Sequence, residues 1–98
     1  MKHTQQSEIV QRLRCASGHL NAVIEMAESE RSCEQVLHQL NAVQSALDAV
    51  SVRVLICQLQ QSEALILHST SSQERTSELK RLQSLYTMHR HKISLQPR

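Results

Sequence analysis

Three cysteines and six histidines carry most of the chemistry open to this 98-residue chain. Cys33 has the most informative setting. Ser32 followed by Gln35 forms a capping box that places Cys33 in the first turn of a helix. A thiol there feels the positive end of the helix dipole, which favours the thiolate, the form that ligates metals and attacks electrophiles. Cys57 continues an apolar heptad and reads as a buried core thiol, since free cysteine behaves as a small hydrophobe. Cys15 is given no role. An odd cysteine count in a chain expected to be cytosolic argues against a disulfide framework, and for buried thiols, a metal ligand or a reactive thiol. His19, His38 and His68 are weak ligand candidates, and His89 and His91 define no site. Paired carboxylates at a defined site, a Ser-His-Asp arrangement and a glycine loop that cradles phosphate are all missing, so the chain does not read as an enzyme.

The element that must position Cys33 is a single long helix, expected over Ser32 to Leu67. Val36, Leu40, Val43, Leu47, Val50, Val54 and Cys57 repeat at 4-3-4-3-4-3 spacing, the pattern of a helix packed along another helix. Ala42, Ala46 and Ala49 form a stripe of small residues beside it. At ~1.5 Å per residue such a helix is roughly 50 Å long, whereas a compact 100-residue domain has a radius of gyration of only about 13 Å. Self-association is the natural way to cover it.

Before it, Ser7 is a plausible N-cap, and Ile9, Leu13, Ala16, Leu20, Val23 and Ala27 predict a first helix. Gly18 interrupts that helix at a cost of ~1 kcal/mol relative to alanine, which suggests close approach by a helix or a ligand. Residues 28–31 read as a connection. Residues 68–72 form a polar break, where Ser71 and Glu74 offer another capping box. A third helix should turn Leu79, Leu82 and Leu85 or Tyr86 inward. The expected organisation is a flexible arm over 1–6, one helical domain over 7–88 and a basic flexible tail over 89–98 that ends in Gln-Pro-Arg.

Composition agrees with an all-α fold. Tyr86 is the one aromatic residue, Gly18 the one glycine and Pro97 the one proline, so the turn chemistry a β-rich chain needs is missing. A net charge of +2 is too mild to imply nucleic acid by itself. The N-terminus lacks a signal peptide's apolar core, and no continuous apolar run approaches the ~20 residues of a membrane span. The expected location is the cytoplasm, with no membrane partner.

Specific words then stand in order: Arg12-Leu13-Arg14, Gly18, Met26, Cys33-Glu34-Gln35-Val36-Leu37, Gln39-Leu40, Ala42-Val43 and Ser45-Ala46-Leu47. Together they resemble the bacterial metal-sensitive transcriptional repressor family, whose members sense copper, nickel and cobalt, formaldehyde or persulfides. The resemblance covers about residues 9–86 and keeps register without gaps from Ile9 to Ser62. It implies a three-helix protomer, two protomers sharing an antiparallel four-helix core, dimers pairing into a tetramer, and operator DNA released on effector binding.

The resemblance also marks what is missing. Copper-sensing relatives join a cysteine at the start of the second helix to a histidine and a cysteine of the partner protomer, one helical turn apart, so that both face one metal. Cys33 matches the first ligand, but the other two positions are Gln58 and Ser62, from which a copper(I) site of that kind cannot form. His3 matches an N-terminal histidine of nickel- and cobalt-sensing relatives. A site of His3, the terminal amine and Cys33 would suit nickel or cobalt but is short of ligands. Cys33 and the amine are also placed to trap a carbonyl such as formaldehyde, although the N-terminal proline of those sensors is not present. His3 as a mobile terminal residue stays open beside both.

No helix-turn-helix, zinc-finger or basic-zipper pattern is present. In the family resembled, the DNA surface is a broad positive face of the tetramer. Arg12 and Arg14 match its basic word, and Arg31 and Arg53 are positioned to extend it. Cys15 and Asn21 are neutral where relatives are basic. The expected function is a DNA-binding repressor with an altered or lost effector site. The alternative is a helical interaction module, such as a mixed-tetramer partner of a paralogue, without DNA binding of its own.

Overall fold

The computed structural model describes residues 1–94, and side chains through His89. Of the basic tail expected over 89–98, Pro97 and Arg98 lie outside the described residues, as do the side chains of Arg90, His91 and Lys92. Three helices follow one another: α1 (His3–Glu28), α2 (Cys33–His68) and α3 (Ser72–Ser94). No strand occurs among the described residues. The fold is all-α.

The helix boundaries follow from local chemistry. The N–H of Gln35 bonds Ser32 Oγ at 3.2 Å and the Ser32 N–H bonds Gln35 Oε1 at 3.3 Å, a reciprocal box that starts α2 one residue before Cys33. At α3 the Glu74 N–H bonds Ser71 Oγ at 3.2 Å. The return half of that box differs from expectation, because the Glu74 carboxylate instead accepts Ser69 Oγ, which in turn accepts the Ser71 N–H. α1 begins at His3, ahead of the Ser7 cap expected from sequence. Gln5 Oε1 accepts the Lys2 N–H at 3.3 Å and satisfies an end donor there.

α1 closes with two bonds, Arg31 N–H to Met26 carbonyl at 3.1 Å and Glu30 N–H to Ala27 carbonyl at 3.3 Å. This is the Schellman pattern, whose left-handed position glycine usually fills. Here Glu30 occupies it with φ of 59°.

The chain divides into two compact units, Lys2–Arg53 and a second from Val54 onward. In the first, α1 lies antiparallel to the leading part of α2. Glu8 meets Arg53 at one end and His19 meets Gln39 towards the other. Ile9, Ala16 and Val23 of α1 are buried, as are Val43 and Val50 of α2. The seven-residue spacing within each set is one half of the 4-3 seam expected from sequence; the alternate positions Leu13, Leu20 and Leu47 are exposed. In the second unit, Cys57 is buried as expected, and Ser62 has no exposed surface at all.

The inner face of α3 departs from the apolar reading. Leu82 is half-buried as expected, and of the alternatives Leu85 and Tyr86 it is Leu85 that is half-buried, but Leu79 is exposed. The partly covered positions also include Arg75 and Glu78. Gly18 departs as well, because a Cβ added there would meet nothing within 4 Å. No described part of this chain approaches it closely.

Much apolar surface stays uncovered. Leu13, Leu20, Ile24, Leu47 and Val54 are all exposed. An 18-residue window of α2 has a mean hydropathy of 1.3, long and apolar enough to cross a membrane by length and composition, yet only 17% of it is buried within the chain.

Candidate functional site

The cationic residues are sorted by helix geometry. At 100° per residue, Arg12 and Arg14 stand about 200° apart around α1 and point to different sides. Arg12 instead converges with Arg53 of α2. Arg53 Nη1 donates to Glu8 Oε1 at 2.6 Å, and Arg12 Nε donates to the same oxygen at 3.4 Å. All three side chains remain 44–48% exposed, so the cluster sits on the surface of the α1/α2 pair.

Beside it runs an open groove of about 460 Å³, whose lining includes Glu8, Arg12, Cys15 and His19 from α1 and Ala46 and Ala49 from α2. Two of the three stripe alanines, Ala46 and Ala49, therefore line a groove between two helices of one protomer. His19 continues the same side, its Nε2 lying 2.9 Å from Gln39 Oε1. Gln39 shares a further shallow groove with Arg31, Met26, Gln35 and His38. Arg53, Arg12, His19 and Arg31 thus succeed one another along the antiparallel pair. Arg14 is apart from them, lining a different depression with Gln6, Ser7, Val10 and Gln11.

The ligand candidates are not brought together. His3 opens α1 and Cys33 opens α2, and the two helices run antiparallel, so the residues occupy opposite ends of the pair. The 26 residues of α1 span about 39 Å, and one protomer cannot close a metal between them. Cys15 and Cys33 are exposed free thiols and Cys57 is a buried one. Among the described residues no group of three or more His, Cys, Asp or Glu side chains is placed to hold a metal.

Gln58 and Ser62, one turn apart on α2, do share a site, and it is internally bonded. Ser62 Oγ donates to Glu78 Oε1 of α3 at 2.7 Å, Gln58 Nε2 donates to Ser62 Oγ at 3.1 Å, and Gln58 Nε2 lies 3.4 Å from the same Glu78 oxygen. Arg81 Nη1 approaches that oxygen at 3.7 Å. Glu78 is only 13% exposed, and no buried side-chain nitrogen or oxygen among the described residues lacks a partner. The cluster is a closed polar contact between α2 and α3.

Two carboxylates that organise these sites, Glu8 and Glu78, escape a reading based on apolar periodicity. The Glu8–Arg12 spacing of four residues signals a local pair, but the convergence of Arg53 depends on the register of α1 against α2. Glu78 is three residues from Arg81, and nothing in the local sequence marks it as facing inward.

A family model for metal-sensitive transcriptional repressors matches residues 5–87. Among curated proteins, the chain is 47% identical over 45 residues to the copper-sensing transcriptional repressor CsoR of Mycobacterium ulcerans (strain Agy99). That match covers 46% of this chain and 38% of the relative. No solved structure matches the chain at a significant level. The family is one of transcriptional regulators and not of enzymes. With more than four-fifths of its length matched, the chain belongs to the metal-sensitive transcriptional repressor family.

Proposed function

We propose that this chain is a DNA-binding repressor that acts as a self-assembled oligomer in the cytoplasm, and that its α2 effector site no longer takes copper(I). The observation that carries the DNA-binding part is the convergence of Arg12 and Arg53 from two helices onto one exposed cluster. Such a cluster binds phosphates of the DNA backbone, which gives affinity that falls with salt, while sequence choice rests on DNA shape. Arg14 lies apart from it and contributes less.

The effector part rests on Gln58, Ser62 and Glu78. Soft metals select thiolate and imidazole ligands, and this cluster offers only amide, hydroxyl and carboxylate groups that already satisfy one another. Cys33 and His3 remain as exposed residues from which a nickel or cobalt site, or a covalent carbonyl trap, would need a second protomer. The exposed apolar residues of α1 and α2 support self-association, since the heptad seam suits a second helix pair. Asp48 and Arg53 within α2 suit that reading better than lipid.

Retention on the DNA upstream of its own gene tests the proposal against the alternative of a helical interaction module. The repressor binds with a steep salt dependence, and substituting Arg12 and Arg53 together by glutamine abolishes retention. Binding undetectable at low salt favours the module. Native mass spectrometry with copper(I), nickel, formaldehyde and persulfide reads the oligomer and the effector together. An effector adduct that requires Cys33 assigns the sensor role, and copper(I) bound without substitution overturns the effector part.

A further inference from the structure

Glu8 places one carboxylate oxygen against both arginines of the cationic face. Its Oε1 accepts from Arg53 Nη1 at 2.6 Å and from Arg12 Nε at 3.4 Å. The contact is too exposed to be a major source of stability, because ion pairs between solvated side chains contribute little to folding. Ile9, Ala16, Val23, Val43 and Val50 already hold α1 against α2. Its electrostatic consequence is larger. Two positive charges that would face a phosphate together are joined by one negative charge, and one nitrogen of each guanidinium is turned to that carboxylate.

We propose that Glu8 is a built-in competitor for the DNA backbone, and the proposal rests on the DNA-binding reading above. A phosphate reaching Arg12 and Arg53 competes with the Glu8 carboxylate for the guanidinium groups and is repelled by its charge. A duplex whose backbone follows the protein face makes enough contacts to offset that competition. A duplex of arbitrary sequence and shape does not. Glu8 therefore lowers indiscriminate affinity more than cognate affinity, which is specificity by a repulsive element.

The test uses full-length Glu8→Gln, whose helix content by circular dichroism should match wild type because the side chain is exposed. Fluorescence anisotropy measures binding to the upstream duplex and to a random duplex over a salt series. Glu8→Gln should bind the random duplex several-fold tighter, with a salt slope steeper by about one per protomer. The ratio of upstream to random affinity should fall. In an Arg53→Gln background most of that gain should vanish. If wild type binds but Glu8→Gln leaves the slope unchanged or weakens binding, Glu8 is not a competitor, and weaker binding identifies it as an orienting residue for the arginines. If neither protein binds either duplex, the DNA-binding reading itself fails and takes this inference with it.

Discussion

The Ser62 hydroxyl, fully buried, donates to Glu78 Oε1 at 2.7 Å and ties α2 to α3. The contact occupies the position at which the family resemblance expects a cysteine ligand. Gln58 completes it from the position expected to carry a histidine. In the proposed reading, Gln58 and Ser62 put hydrogen-bonding groups where copper-sensing relatives carry soft ligands, and α3 supplies the carboxylate they bond.

Ser62→Ala should destabilise the protein by about 1–3 kcal/mol, because it removes a buried donor from a carboxylate that has little solvent to replace it. Urea denaturation followed by circular dichroism measures the loss. A change below about 0.5 kcal/mol, the range of an ordinary surface substitution, would show that the contact carries no weight.

The double substitution Gln58→His with Ser62→Cys should restore a soft-metal pair one helical turn apart. Copper(I) binding, read by competition against a colorimetric chelator, should appear in the double variant and disappear when Cys33→Ser is added. Persistence of binding without Cys33 would place the metal elsewhere.

Much of this architecture is legible in the amino-acid sequence. The bounds of α2 fall within one residue of expectation because Ser32, Gln35 and the polar run after His68 are local signals. The start of α1 is less legible, since Gln5 capping Lys2 is a weaker mark than a serine. The α3 helix continues to Ser94, beyond the last apolar position that periodicity could use. The sites are harder to read. Arg12 and Arg14 form one word in sequence yet face different ways on a helix, and Arg53 joins Arg12 only through a register between α1 and α2. Glu78 is turned inward in α3, where an apolar pattern has no means of finding a carboxylate.

Glu30→Gly should stabilise the protein by roughly 0.5–1 kcal/mol. Glu30 holds a left-handed conformation that disfavours a Cβ, and glycine removes that penalty at some cost in unfolded-state entropy. Thermal unfolding should show a higher Tm. A lower one would mean that the Glu30 side chain contributes more than its backbone costs.

Gly18→Ala should also stabilise, by about 1 kcal/mol in an α1 with open space at that point. A loss of stability instead, accompanied by a loss of oligomer in sedimentation, would show that a second copy approaches the helix there.

The central proposal is DNA binding through the Arg12 and Arg53 face with no response to copper(I). It is read directly by anisotropy of the upstream duplex with wild type, Arg12→Gln/Arg53→Gln and Arg14→Gln, each with and without copper(I). Wild type should bind with a clear salt dependence, Arg14→Gln should lose little, the double variant should not bind, and copper(I) should change nothing. Equal losses in Arg14→Gln and the double variant, or release of wild type by copper(I), would contradict it.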